Sequence, residues 1–489
     1  RDCVSEGLLA ASHDYSDLSD ADVVLVCVQT DKDGFKPDYG PLMGALEHLA
    51  EALSKKPPEN IPIVCFESTL APSTMSTIIR DLFGKYGLVE GKDVLLGNSP
   101  NRVMPGRLVE RVAAADKIVA GLHPLTSKLI ARLYERIVTK GKLHQTNSMT
   151  AEVVKTLENA YRDVRIAFAT EIVRYCDERD IDFFRLRDLV NERLAQADSA
   201  SHNATAVPVG GILVPFIGVG GHCLPKDGIL LWWRKIEAGT DTSTSLILQS
   251  RLINDDSPAQ TLRLAEASIG QLAGRRVALM GAAYRFDSED TRNSPTLATA
   301  VQLRDKECSI RIHDPYVKPG DQNLVRFGLD EYFTNSIEEA VGNAEVCIFC
   351  TGHGVYDQDL EKIVAAAPRL EVVVDGANLF TAGRFENLKY AGIGRGTSEP
   401  SAELLDFAEQ SFRVMEHGVA NEVRSLAEFL NERFSSSRFN DVIFEEVQRL
   451  AATCATGCEI SATKSPLEAP SIDGYQSHLA RCAAAASKG

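Results

Sequence analysis

Cys223 stands in the run Phe216-Ile217-Gly218-Val219-Gly220-Gly221-His222-Cys223-Leu224-Pro225-Lys226-Asp227, with glycines ahead of it and a lysine and a carboxylate behind. Glycine opens backbone conformations closed to other residues and lets the chain come close to a ligand. A cysteine on such a turn is presented to a pocket, whereas a cysteine inside an apolar run is a small core residue. The chemistry this predicts is nucleophilic. The thiolate attacks an electrophilic carbon, and a nearby cation or helix N-terminus lowers the thiol pKa from about 8.5 toward neutrality. Lys155 and Asn159 form a second candidate pair, because residues four apart on a helix project from the same face. His222, although next to the thiol, is read as structural.

These side chains need elements to hold them. Short apolar strands at 23–28, 61–66 and 117–120 alternate with amphipathic stretches, the rhythm of a parallel sheet. A second run at 275–281, 310–314, 346–350 and 372–375 predicts a second sheet of the same kind. Between them, Ala151, Val154, Leu157, Ala160, Val164, Ala167 and Ile172 recur at helical spacing, so one long helix over 150–177 should link two domains. Its small residues, Ala151, Ala160, Ala167 and Ala169, would let it pack against its twin in a homodimer. The fold class is therefore α/β: two doubly wound Rossmann-like domains joined by a long central helix. The chain opens at Arg1 without the strand and Gly-x-Gly-x-x-Gly turn of a dinucleotide-binding half, so the first domain is expected to lack its initial βαβ unit and to bind a dinucleotide poorly. The expected divisions are 1–147, 148–256, 257–399 and 400–489, the last a helical extension with a disordered Ala- and Ser-rich tail.

Composition narrows the function. The chain has 489 residues, 44% of them hydrophobic, enough for two or three cores. A formal net charge of -16 argues against nucleic acid or anionic membrane as partner. Eleven scattered cysteines read as reduced thiols in a cytoplasm rather than a disulfide framework. Cys347 and Cys350 lie in a strand-like run and are read as core. Cys454 and Cys458 lack further ligands at metal spacing, so no metal is expected. No apolar stretch reaches the ~18 to 20 residues of a transmembrane helix.

The run 218–227 resembles the catalytic-cysteine signature of the nucleotide-sugar 6-dehydrogenases, the family of UDP-glucose and UDP-N-acetylhexosamine dehydrogenases. Further motifs follow in that family's order: 21–30, Glu67-Ser68-Thr69, Ser99-Pro100 with Val103-Met104-Pro105-Gly106, Ala151-Glu152 with Lys155 and Asn159, and 284–295. The resemblance spans residues 1–395. It implies NAD-dependent oxidation of the C6 primary alcohol of a UDP-sugar to a uronic acid, through a thiohemiacetal and a thioester on Cys223. It also implies that Lys155 stabilises developing negative oxygen with Asn159 as its companion, and that Asp227 handles protons and orients water. Val28, Thr30, Ser68, Thr69 and Arg292 resemble cofactor contacts. Arg102, Val103, Lys155, Asn159, Phe216, Gly218, Gly220 and Arg285 resemble substrate contacts, Arg285 standing where the family has a lysine. The run 102–107 resembles the N-acetylhexosamine branch.

Departures from the pattern motivate two alternatives. Asn101 follows Pro100 where the family carries a glutamate, and an amide cannot act as the same base. Ala377 follows Asp375-Gly376 where an arginine is usual. A catalytically silent relative that binds nucleotide sugar or pairs with an active subunit is one alternative. A single-step hydroxyacid or sugar-acid dehydrogenase is the other, although that chemistry needs no cysteine loop.

Overall fold

The computed structural model describes residues 2–56, 60–102, 108–194, 210–385, 387–454, 458, 460–463 and 465–487. The chain forms two compact units, one of residues 1–158, 229–240 and 423–455, the other of 159–228, 241–422 and 456–489.

The first unit is built on a sheet of β1 (Val23–Val26), β2 (Ile63–Phe66), β3 (Leu95–Asn98), β4 (Lys117–Gly121) and β5 (Leu143–Asn147), which lie side by side in chain order. β1, β2 and β3 pair in parallel, with Val26 opposite Phe66 and Phe66 opposite Asn98. The expected all-parallel arrangement is corrected at one place, since β3 and β4 run antiparallel over Gly97↔Gly121 and Asn98↔Ala120. Glycine is required there: a side chain on Gly97 would strike Ala120 O at 2.4 Å. Val64, Phe66 and Leu96 bury their side chains with Leu42 and Leu46 of the helix Gly40–Leu53. β2 and β3 are buried on both faces, as parallel strands are, while β1 alternates and leaves Val23 and Leu25 exposed.

The second unit holds β6 (Arg276–Met280), β7 (Ser309–His313), β8 (Phe333–Thr334), β9 (Val346–Phe349), β10 (Val372–Asp375) and β11 (Lys389–Gly392). Their spatial order is β8-β7-β6-β9-β10-β11, every pair parallel. This is the 3-2-1-4-5-6 order of doubly wound dinucleotide folds, and the direction of winding reverses between β6 and β9, where such sheets open a crevice at their carboxyl ends. Cys347 and Cys350 are core, as expected, and burial pushes the Cys350 thiol up to about 12. The short β8 and the edge strand β11 carry too little pattern to be read from sequence.

The helices α1 (Ser148–Asp177), α2 (Leu224–Glu237) and α3 (Ala402–Phe434) each contribute residues to both units. The α1 side chains expected to meet a twin helix are covered within one chain. Ala151, Ala160, Ala167, Ala169, Val154, Leu157, Val164 and Ile172 are all 0% exposed within a single chain. In the second unit α3 itself covers α1, with Phe412 edge-on to Phe168 at 5.6 Å and Glu416 accepting from Tyr161 OH at 2.6 Å. The apolar face that reads as a dimer seam is this chain's own core.

A second correction concerns the tail, for 478–486 is not disordered. His478–Ala486 is a helix, capped by Ser477, whose Oγ accepts from Ala480 N. Alanine is the strongest helix former, so the composition that suggested disorder favours a helix once its start is anchored. The anchor is Glu171 of α1, whose carboxylate accepts from Ser477 Oγ, His478 N and Leu479 N at 2.9, 2.7 and 3.2 Å. Among the described residues, no helix is long and apolar enough to cross a membrane.

One end of α1 makes stability depend on pH. Asp177 accepts from Gly394 N at 2.8 Å, and burial raises its carboxyl to about 7. Its ordinary value is about 4, so between about pH 4 and pH 7 the folded chain binds a proton that the unfolded chain has lost. Stability from this group is complete below that window and is lost as pH rises through it, at up to about 1.4 kcal/mol per pH unit. Urea denaturation at a series of pH values should show this slope, and Asp177→Asn should flatten it.

Candidate active site

In the second unit the glycine-rich run ends at the start of α2. The Cys223 carbonyl accepts from Lys226 N at 3.2 Å and Asp227 N at 3.0 Å, which places the cysteine at the helix N-terminus, and its side chain is exposed. Oriented amides at a helix N-terminus attract negative charge that develops nearby. The glycines have a steric cause. A side chain on Gly220 would strike Tyr284 Cβ and come within 2.9 Å of Asn293 O, and one on Gly221, at φ +87°, would come within 2.9 Å of the Tyr284 ring. Gly218 rests against Pro295 and Pro258, and Phe216 is exposed. The loop is tied down on both sides. Gly221 N donates to Arg292 O at 2.8 Å and Asn293 Nδ2 to Gly221 O at 2.9 Å, while Ile217 N donates to Gly376 O at 3.0 Å and Asn378 Nδ2 to Pro215 O at 2.7 Å. Asn293 and Asn378 sit inside motifs read from the sequence, yet nothing in the sequence marks them as anchors.

Behind the thiol lies a buried polar cluster. Asp227, fully buried, accepts from Lys226 Nζ at 2.6 Å and from Asn159 Nδ2 at 2.5 Å. The Lys226 ammonium is engaged by Asp227. Of the predicted catalytic set, the structure brings Asn159 and Asp227 together, with Lys226 as the second partner of Asp227. Lys155, largely buried, lies one helical turn ahead of Asn159 on α1.

Arg292 and Tyr284 border the cysteine. Arg292 forms a two-point ion pair with Asp290, Nε to Oδ1 at 2.9 Å and Nη2 to Oδ2 at 2.6 Å. That pair raises its pKa, with Tyr284 and Cys223 adding to the effect. Burial pushes the Tyr284 hydroxyl up. Arg285, half-buried, lies near the Phe286 ring.

In the first unit, Val28, Thr30, Ser68 and Thr69 gather just past the carboxyl ends of β1 and β2. Thr30 Oγ1 donates to Thr69 O at 2.7 Å and Ser68 Oγ to Val28 O at 2.6 Å. A hydroxyl that donates to a carbonyl presents its lone pairs as acceptors, so Ser68 suits a ligand carrying amide N–H groups, such as the carboxamide of a nicotinamide. The loop beyond is fixed by buried Glu152 of α1, which accepts from Ser73 N at 2.7 Å and Met75 N at 2.9 Å. Next to it Glu67, its carboxyl raised by burial, pairs with Lys117 at 3.0 Å and takes a hydrogen bond from Tyr134 OH. Arg102 is committed within the protein: its Nη2 lies 2.5 Å from Glu158 Oε1, both side chains buried, and its Nη1 donates to Thr453 Oγ1 at 3.0 Å. Val103 lies outside the described residues.

Comparison with known proteins matches this arrangement domain by domain. The NAD binding domain of the UDP-glucose/GDP-mannose dehydrogenase family matches residues 1–138, its central domain 149–256 and its UDP binding domain 278–382. A UDP-N-acetyl-D-mannosamine dehydrogenase from Pyrococcus horikoshii is 30% identical over 400 residues, 81% of this chain and 86% of the relative. An NDP-N-acetyl-D-galactosaminuronic acid dehydrogenase from Ralstonia solanacearum is 27% identical, over 78% of this chain and 84% of its own. Among solved structures, the UDP-D-ManNAc dehydrogenase of Pyrococcus horikoshii superposes with a TM-score of 0.68 at 31% identity, covering 81% of this chain and 86% of that one. With its catalytic-type cysteine loop, its paired sheets and its matched domains, this chain belongs to the UDP-glucose/GDP-mannose dehydrogenase family and is an NAD-dependent nucleotide-sugar dehydrogenase.

Proposed function

We propose that the chain oxidises the C6 primary alcohol of a UDP-N-acetylhexosamine to the uronic acid, with Cys223 as covalent catalyst, in the cytoplasm. The observation that carries this reading is the exposed Cys223 at the N-terminus of α2, tied through Gly221 to the 284–293 segment of the matched UDP binding domain. The N-acetylhexosamine choice is supported by the names of the relatives, UDP-N-acetyl-D-mannosamine and NDP-N-acetyl-D-galactosaminuronic acid dehydrogenases.

Val28, Thr30, Ser68 and Thr69 would hold NAD, and the chemistry it supplies when bound is acceptance of the hydride lost from C6, twice per sugar. The protein's own part follows from its residues. As the alcohol loses its O–H proton and becomes an aldehyde, Lys155 with Asn159 stabilises the negative oxygen. The Cys223 sulfur then adds to C6, and the former carbonyl oxygen takes up a proton to give a thiohemiacetal. Loss of the second hydride and of that proton leaves a thioester. Water adds to the thioester carbon, the C–S bond breaks, and the thiolate departs as the carboxylate forms. Asp227, held by Lys226 and Asn159, orients the groups behind the thiol; position 101 carries an amide, so deacylation draws on no carboxylate there.

Steady-state kinetics on a panel of UDP-sugars tests the substrate class. The kcat/KM for UDP-N-acetylmannosamine or UDP-N-acetylgalactosamine should exceed that for UDP-glucose by at least about tenfold. Equal or higher values for UDP-glucose would overturn that assignment.

A further inference from the structure

We propose that His353 is a positioning residue for the Cys223 loop, acting through the 282–293 segment; the inference rests on the reading of Cys223 as the nucleophile. His353 follows β9 and Asp314 follows β7, both at carboxyl ends around the sheet's switch point, and both side chains are 0% exposed. Asp314 uses every lone pair in reach. Its Oδ1 accepts from Tyr316 N and Val317 N at 2.8 and 3.0 Å, and its Oδ2 from Ala282 N, Ala283 N and His353 Nε2 at 2.8, 3.0 and 3.0 Å. Burial works against its ionisation, but the hydrogen bond from His353 and the amides outweigh it and hold the carboxyl below its usual range.

The tautomer of His353 follows from its partners. Asp287 N donates to His353 Nδ1 at 2.9 Å, so Nδ1 is the bare acceptor and Nε2 carries the hydrogen that goes to Asp314. The imidazole thereby joins the first residues of the segment, held by Asp314, to its far bend at Asp287. That bend is strained, for Asp287 sits at φ 51° in the left-handed region that favours glycine. Its carboxylate adds a second hold, accepting from Gly354 N at 3.2 Å and Tyr316 OH at 3.4 Å.

Beyond the bend the segment closes on itself, Tyr284 N donating to Asp290 O at 2.9 Å, and then meets the cysteine loop. The Tyr284 side chain fills the space that Gly220 and Gly221 leave open, and Arg292 O and Asn293 Nδ2 take the N–H and C=O of Gly221. Both peptide groups of Gly221, two residues ahead of the thiol, are thus fixed by a segment whose own conformation depends on one buried imidazole. Both ring nitrogens of His353 are used internally, so it acts through position and not on the reacting atoms.

Two variants separate its bonds. His353→Gln keeps a donor near the Nε2 position but offers Asp287 N no acceptor, whereas His353→Asn keeps an acceptor at the Nδ1 position and gives up the donor to Asp314. Hydrogen–deuterium exchange read on peptides covering 216–223, 284–293 and 346–350 reports the coupling without any substrate. In His353→Gln the first two should exchange at least about tenfold faster than in the parent while 346–350 is unchanged, and His353→Asn should stay within about threefold of the parent. With a UDP-sugar that the parent turns over, kcat of His353→Gln should fall about tenfold at a KM within about threefold. Loosening confined to 284–293, no loosening at all, or a His353→Asn as loose as His353→Gln would each overturn the proposal. If His353→Gln does not fold, His353→Asn decides: parent-like exchange supports the acceptor role and fast exchange refutes it. A parent that oxidises no UDP-sugar would defeat the functional reading, while the exchange result would still decide the positioning claim.

Discussion

Cys223→Ser should abolish formation of the uronic acid, lowering kcat by about a thousandfold or more, while UDP-sugar affinity stays within about threefold. A serine hydroxyl keeps the size of the side chain and its place at the start of α2. It lacks an accessible anion at neutral pH, so it cannot capture the aldehyde. Product analysis by mass spectrometry and calorimetric titration with the UDP-sugar would measure the two halves. Acid formation at near-parental rate would refute covalent catalysis, and a collapse of affinity would mean that Cys223 holds substrate instead.

A large stability effect is expected at the pair behind the thiol. Lys226→Met leaves the Asp227 carboxylate buried with only Asn159 as partner, and unpairing such a charge costs about 3–5 kcal/mol. Denaturant unfolding followed by tryptophan fluorescence should record the loss. A double change, Lys226→Met with Asp227→Leu, removes both charges and should recover much of it, because a buried pair itself contributes little over an apolar replacement. A double variant as unstable as Lys226→Met would locate the defect in packing and not in the orphaned charge.

The sequence made the chemistry easier to read than its surroundings. Cys223, Asn159 and Asp227 are marked as candidates by local motifs, and the structure presents the first at a helix start and joins the other two by a hydrogen bond. Strands β1, β2, β4, β6, β7, β9 and β10 are legible as short apolar runs, whereas β3, β5, β8 and β11 are not. What escaped depends on distance in the sequence. Lys226 is the exception, since its partner Asp227 is the next residue and adjacency does not tell that both side chains are buried as a pair. Arg102 reads as a ligand for an anionic sugar, yet Glu158 and Thr453 occupy it. The central helix reads as a dimer seam because periodicity gives the apolar face and not what covers it, and Phe412 and Glu416 lie about 250 residues downstream of the positions they meet. The alanine-rich end reads as tail until Glu171 supplies its anchor.

A two-stage oxidation through a cysteine-bound intermediate fixes the stoichiometry of the reaction. With the protein as its gene encodes it, NADH formed per UDP-sugar consumed should be counted at completion by absorbance and by quantified uronate product. Two NADH should form for each sugar, with no free aldehyde accumulating. One NADH per sugar, with an aldehyde or ketone as the product, would contradict it.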